Sequence, residues 1–264
     1  AFLPLYIKYL GAESYGLIGL FAVMQAWLTI LDMGMTPTLN REMARFTAGA
    51  HTPQSIRNLL LSLEIVCFSI ATVIAVSIWL GSSYIANDWL KSGLLSTTTV
   101  QEALSIMALV MALRFCEGIY RGALYGLQKQ VLLNSVYAIQ ATIRHGGAVV
   151  IVVFISPTIE AFFYWQALIS FISVLSMGVI VHRQLPRSPL APKFSRKLLA
   201  EISPFAIGMM GISLLSILLM QVDKVILSKL LSLESFGYYM LAVSLATALN
   251  QVLGPVTQAI YPRM

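Results

Sequence analysis

The sequence has 264 residues, of which 58% are hydrophobic and 11% charged, with a mean hydropathy of +0.81 and a formal net charge of +6. A soluble domain carries about 25% charged residues, so this composition excludes disorder, a collagen-like fibre, a coiled coil and an ordinary cytosolic enzyme, and makes lipid the natural solvent. Two cysteines exclude a disulfide framework; Cys67 and Cys116 lie in apolar runs and read as small buried hydrophobes. The start at Ala1 and the abrupt end at Met264 are expected of a fragment of a longer protein.

A bilayer core about 30 Å thick needs roughly 20 apolar helical residues. Residues 1–7 read as the tail of one span, and seven full spans follow near 15–36, 58–80, 100–120, 131–154, 160–182, 204–228 and 236–260. None has the form of a signal peptide, and the runs are too long and too uniformly apolar for barrel strands. The expected fold is an all-α polytopic membrane protein.

Polar residues recur on single faces of these helices. In the span 15–36, Gln25, Thr29, Asp32 and Thr36 share a face. The span 58–80 carries Glu64 alone, near its basic end. The span 100–120 and its flank hold Arg114, Glu117 and Arg121 at i, i+3 and i+7. Next come Asn134, Tyr137, Arg144 and His145, then Gln166, Ser170 and Ser173. The last two spans carry Ser213, Ser216 and Asp223, then Thr247, Asn250, Gly254 and Thr257.

Each stripe has a plainer alternative. Ser and Thr in membrane helices often bond a backbone carbonyl or a neighbouring helix. Arg114 and Glu117 either neutralise each other across one turn or face a cavity. Glu64, Arg57 and Arg121 lie near span ends, where long side chains snorkel. Asp223 and Lys224 either form a local pair or serve a site. His145 reads as a bonded packing residue, because no second ligand stands at metal spacing. Arg144 is thirteen residues into its span with no acidic partner on its own helix, so it requires a carboxylate from another helix, a cavity water or an anionic substrate.

Eleven of the 17 Lys and Arg residues fall in loops on one side: Arg41, Arg45, Arg57, Arg121, Lys129, Arg183, Arg187, Lys193, Arg196, Lys197 and Arg263. Four fall on the other, Lys8, Lys91, Lys224 and Lys229. The positive-inside rule makes the first side cytoplasmic, together with the N-terminus of the chain. This asymmetry accounts for most of the net charge without a nucleic-acid partner. The longest basic connection, 183–203, holds Pro186, Pro189 and Pro192 and reads as a hinge between two bundles or as a loop at the lipid surface.

An internal repeat links the two ends of the chain. Residues 8–20, KYLGAESYGLIGL, match residues 229–241, KLLSLESFGYYML, at an offset of 221. Lys8, Leu10, Glu13, Ser14, Gly16 and Leu20 recur as Lys229, Leu231, Glu234, Ser235, Gly237 and Leu241. The offset contains an even number of spans, so the repeat is parallel, with an axis along the membrane normal. Residues 1–190 are expected to form a first six-helix lobe and 191–264 the start of a second. No HExxH, GxxxxGK[ST], GxSxG or Cys/His metal pattern is present, so no metal or other cofactor is expected.

Several short motifs occur in a telling order: Tyr9-Leu-Gly-Ala-Glu-Ser-Tyr-Gly16, Leu31-Asp-Met-Gly-Met35, Asn40-Arg-Glu-Met-Ala-Arg45, Gly126-Leu-Gln-Lys-Gln130, Gln221-Val-Asp-Lys-Val-Ile-Leu-Ser-Lys229 and Phe236-Gly-Tyr-Tyr239. Together they resemble the polysaccharide biosynthesis flippases of the Wzx type, which export O-antigen units for lipopolysaccharide. These belong to the multidrug/oligosaccharidyl-lipid/polysaccharide exporter superfamily. The resemblance implies a MATE-like two-lobe helical bundle in a bacterial inner membrane, with this chain its first lobe plus two helices. It implies flipping of an undecaprenyl-pyrophosphate-linked oligosaccharide by alternating access, not an enzymatic reaction. The expected partners are this lipid-linked substrate, the bilayer, a polysaccharide polymerase and chain-length proteins.

On that reading Arg144 and Arg114 attract pyrophosphate or acidic sugars, and Gln25, Thr29, Asn134, Tyr137 and Asn250 bond sugar hydroxyls. Asp32, itself a cavity residue, Glu117, Glu64, Asp223 and Lys224 balance charge or couple an ion. A cation-coupled drug exporter of the same superfamily and a non-transporting membrane scaffold or enzyme are the alternatives.

Overall fold

The computed structural model describes residues 3–90, 93 and 95–260; the side chains of 3, 4, 29, 30, 217 and 248–260 lie outside that description. The chain folds into helices α1 (Leu3–Leu31), α2 (Met35–Thr47), α3 (Pro53–Tyr84), α4 (Thr97–Gly126), α5 (Gln130–Val150), α6 (Ile159–Gln184), α7 (Arg196–Leu230) and α8 (Leu233–Ile260). The helices α3 and α5 each run on through one wider π turn, at Ile85–Trp89 and Ile151–Ile155. Among the described residues, five stretches are long and apolar enough to cross a membrane: Pro53–Trp89, Thr97–Gly126, Gln130–Ile155, Ile159–Gln184 and Arg196–Ser216. The chain is therefore an all-α, multi-pass membrane protein.

Helix starts follow local side-chain chemistry. Thr52, Ser96, Thr158 and Ser195 each accept a backbone N–H three residues on, satisfying a donor that the helix leaves unpaired. Within α1, Gly11 breaks the helical path with φ 84 and ψ 163. Residues 3–10 therefore form a separate segment at the head of α1. Under the 221-residue offset, Gly11 corresponds to Ser232, where α7 gives way to α8.

The predicted span 15–36 is too long. Helix α1 stops at Leu31, and Met33 (φ 49) and Gly34 (φ 71) turn the chain into α2. The left-handed conformation at Gly34 is one that glycine adopts without steric penalty. Helix α2 is short and amphipathic, burying Met35, Thr38, Leu39, Glu42 and Met43. It lies in a glycine groove on α4: a Cβ on Gly122 would stand 2.5 Å from the Thr36 carbonyl oxygen, and one on Gly126 2.2 Å from that of Asn40.

Helix α4 is the hub of the bundle and packs against α1, α2, α3, α5 and α6. Its most apolar stretch is 67% buried, against 6% for α7, which lies at the periphery against α1, α2 and α3. Edge-to-face contacts through Tyr6, Phe162, Phe163 and Phe21 tie α1 to α6. Helices α1 and α8 approach closely. A Cβ on Gly16 would lie 2.4 Å from the Leu233 carbonyl oxygen, and one on Gly237 would lie 2.3 Å from that of Ala12.

The Pro-rich connection between α6 and α7 is bound along one face of α3. Arg57 donates through Nε to the Pro186 carbonyl (2.8 Å) and through Nη2 to that of Leu185 (3.3 Å). Gln54 bonds the Ala191 carbonyl (3.1 Å) and Ser188. The Lys193 N–H donates to Asn58 Oδ1 (2.8 Å), and the Ser195 N–H to Ser62 Oγ (2.9 Å). The segment expected as a hinge or as a loop at the lipid surface is thus strapped along α3. Three prolines leave its backbone without helical partners, and polar residues spaced four apart on α3 supply them.

Candidate functional site

A chamber of about 360 Å³ lies among α1, α2, α4, α5 and α7. Its walls carry Gln25 and Asp32, then Thr36 and Pro37, then Arg114, Glu117, Gly118 and Arg121, then Tyr137 and Arg144, and finally Ser213. These positions lie toward the C-terminal ends of α1 and α4 and at the start of α2, so the chamber sits toward the end of the bundle that bears Arg41, Arg45 and Arg183. The opposite end is where α1 and α8 close on each other.

Two arginines define its electrostatics, and they are held differently. Arg144, on α5, donates from Nη2 to Glu117 Oε2 on α4 (3.3 Å) and to Ser173 Oγ on α6 (3.1 Å). Trp165 on α6 donates its indole N–H to the Arg144 carbonyl (3.2 Å), which fixes this turn of α5. The pair is buried, with Arg144 8% and Glu117 5% exposed. Among the described residues, Arg144 Nε and Glu117 Oε1 have no hydrogen-bond partner.

Arg114 is bound entirely by neutral groups. Nη1 donates to Gln25 Oε1 (2.7 Å), Nη2 to Gln166 Oε1 (2.6 Å) and Nε to Ser170 Oγ (3.5 Å). The guanidinium also stands 5.1 Å from the centre of the Phe21 ring. Among the described residues no carboxylate pairs with Arg114. The i, i+3 ion pair between Arg114 and Glu117 is not formed, because that carboxylate turns to Arg144.

Asp32 caps α2. It accepts the Thr36 N–H at 3.1 and 3.3 Å and the Thr36 hydroxyl at 2.7 Å. Arg121 donates to the Tyr137 hydroxyl (3.4 Å). The chamber therefore gathers Gln25, Asp32, Arg114, Glu117, Tyr137 and Arg144 from the residues that the sequence singles out. Gln25 differs from expectation in that its amide oxygen is engaged by Arg114.

Other expected site residues lie elsewhere. Asn134 is exposed and is not among the chamber walls. Glu64 on α3 faces His182 across 3.6 Å. Asp223 and Lys224 form the local pair at 3.1 Å, and the Tyr239 hydroxyl donates to Asp223 Oδ2 (2.5 Å). Lys224 borders a second cavity of about 350 Å³ between α1, α7 and α8, with Gln221, Ser244 and Thr247. The side chains of Thr29 and Asn250 lie outside the described residues.

The polar stripe of α6 has a larger place than sequence reasoning assigns it. Gln166, Ser170 and Ser173 are 2% exposed or less and hold both arginines. Their spacing of i, i+4 and i+7 is the signal that marks them. No curated protein and no solved structure shows significant similarity to this chain. The family model described as polysaccharide biosynthesis protein matches residues 1–264, the whole chain, and the chain belongs to that family.

Proposed function

We propose that the chain is part of a flippase that moves undecaprenyl-pyrophosphate-linked oligosaccharide repeat units from the cytoplasmic to the periplasmic leaflet of a bacterial inner membrane. The observation that carries this reading is Arg114, a cation at the chamber wall whose bonding partners are all neutral. A half-buried charge held this way attracts an anionic group more strongly than a guanidinium that already has a carboxylate. Three arginines, Arg114, Arg121 and Arg144, face two carboxylates, Asp32 and Glu117, so the wall has an excess of positive charge.

In this mechanism the pyrophosphate enters from the basic, cytoplasmic end and is drawn to Arg114 and Arg121, while Tyr137 and Ser213 bond sugar hydroxyls. Residues 1–190 form the first lobe and 191–264 begin the second. Support for two related lobes comes from the α1–α8 contact, in which Gly16 meets Leu233 while Gly237 meets Ala12, the positions being exchanged by the 221-residue offset. Closing the chamber at the basic end and parting α1 from α8 at the other releases the head group outward.

The test is complementation. The gene is introduced into flippase-null strains of defined repeat unit, and surface polysaccharide is scored against protein abundance. Restoration by the wild type and its loss in Arg114→Ala at equal abundance are expected. Full polysaccharide output from Arg114→Ala would refute the role of Arg114. Altered drug susceptibility with no restoration in any strain would refute the flippase reading.

A further inference from the structure

We infer that Gln166, together with Gln25, is a positioning residue that keeps Arg114 free of a bonded carboxylate and thereby gives the chamber its preference for a pyrophosphate-type anion. The inference rests on the flippase reading above and concerns the same chamber. A buried guanidinium has five N–H donors and no acceptor, so it must be surrounded by oxygen atoms. Carboxylates satisfy those donors and also cancel the charge. Amide and hydroxyl oxygens satisfy them and leave the charge in place.

The chamber contains both solutions. Arg144 has Glu117 at 3.3 Å, and an incoming anion there must compete with a carboxylate already bound. Arg114 has Gln166 at 2.6 Å, Gln25 at 2.7 Å and Ser170 at 3.5 Å. Because a guanidinium accepts nothing, both amides must present their oxygens to it, which fixes their orientation. Gln166 comes from α6 and is 2% exposed; Gln25 comes from α1 at the chamber wall. Two helices thus clamp the guanidinium from two sides, and the Phe21 ring lies 5.1 Å from it. The arginine is oriented before any ligand arrives, so binding loses little side-chain freedom.

The discriminating variant is Gln166→Glu. It keeps the length of the side chain and an acceptor oxygen for Arg114 while adding a negative charge. A purely structural role for Gln166 predicts that this variant is tolerated, because a carboxylate also bonds a guanidinium. A charge-preserving role predicts that it folds and loses its anion.

The purified chain in lipid nanodiscs is titrated with undecaprenyl pyrophosphate, inorganic pyrophosphate and uncharged undecaprenol, with thermal unfolding recorded in parallel. The expected result for Gln166→Glu is binding of undecaprenyl pyrophosphate weakened by about tenfold or more, at an unfolding temperature no lower than that of the wild type. Undecaprenol binding stays unchanged. Gln166→Met, which removes the acceptor without adding charge, is expected to unfold earlier and to weaken the pyrophosphate by less than Gln166→Glu does.

Gln166→Glu binding as tightly as the wild type, with Arg114→Ala losing the ligand, would overturn the inference and leave the flippase reading standing. Inorganic pyrophosphate bound as tightly as the lipid and lost in Gln166→Glu would support the inference with a soluble anion and overturn the flippase reading. A wild-type chain that binds undecaprenol as tightly as undecaprenyl pyrophosphate would overturn both.

Discussion

The Glu117–Arg144 pair should behave as one unit, and a double-mutant cycle measures this directly. Both side chains are nearly enclosed, at 7% and 10% exposure, with the charged atoms 3.3 Å apart. At an effective dielectric near 20, unit charges at that distance attract by about 5 kcal/mol, and the loss of hydration on burial offsets much of that attraction. Removing one partner leaves the other charge buried with little to bind it: Arg144 would retain Ser173, and Glu117 would retain no other hydrogen bond to its carboxylate among the described residues. Losses of about 3 kcal/mol are therefore expected for Arg144→Met and for Glu117→Gln separately. The double variant removes both charges together and should lose no more than the worse single variant. The resulting coupling is at least about 3 kcal/mol. The measurement is reversible denaturant unfolding of the four proteins in a common micelle. Additive losses would refute the pairing and make Arg144 as available to an anion as Arg114.

Two further perturbations test the packing. Gly16→Ala and Gly237→Ala each place a Cβ within 2.4 Å of a carbonyl oxygen on the opposing helix, whereas Gly208 and Gly211 on α7 have open space around them. The first two substitutions should destabilise by about 1–3 kcal/mol, and Gly208→Ala and Gly211→Ala should be neutral or stabilising; equal effects in thermal unfolding would contradict the close approach of α1 and α8. Asn58→Leu removes the acceptor of the Lys193 N–H, and trypsin reads out the result at Arg187 and Lys193 on the strap. Losing about 1 kcal/mol of anchoring should speed cleavage there roughly fivefold; an unchanged rate would mean that the strap is held by other contacts.

Five of the seven expected membrane spans, those in α3 to α7, were legible in the sequence because lipid imposes a length and an apolarity that the chain cannot disguise; α1 and α8 are not among the five stretches that meet this measure in the described residues. Helix α2 was not, since it is short, polar on one face and contributes no hydropathy peak. Its boundary does carry a local mark in Gly34 and Pro37, which stand where the expected span was continued too far. The candidate site was half legible. Helical phase places Arg114, Glu117 and Arg121 on one face of α4 and Arg144 on a face of α5, but phase says nothing about which helix stands opposite. The sequence therefore could not choose between Arg114 and Arg144 as the partner of Glu117. That choice depends on how α5 and α6 lean on α4, with the Trp165 indole against the backbone of Arg144. The strap shows the same limit: its prolines mark a stretch that cannot be helical, while its anchors are ordinary polar residues 130 positions away on α3.

The repeat and the strap together constrain how the protein can move. The α1–α8 contact is self-complementary, since each glycine meets the position four residues before the other, and such contacts arise where two like elements face each other across a two-fold axis. On the two-lobe reading, that axis runs between α1 and α8 along the membrane normal, and the end they close is opposite the chamber. The strap binds residues 185–195 to α3, which argues against a pivot within the prolines. On the two-lobe reading, a pivot would fall instead at the head of α7, between Ser195, which caps the helix, and Pro204, which removes one of its internal hydrogen bonds. Just beyond this stretch, Gly34 of the α1–α2 turn meets Ala206, and the Arg41 guanidinium lies 4.8 Å from the Phe205 ring. A tilt of α7 about this point bears directly on the turn that Asp32 caps at the chamber wall. The same turn thus couples the arginine-lined chamber to the place where the lobes would swing.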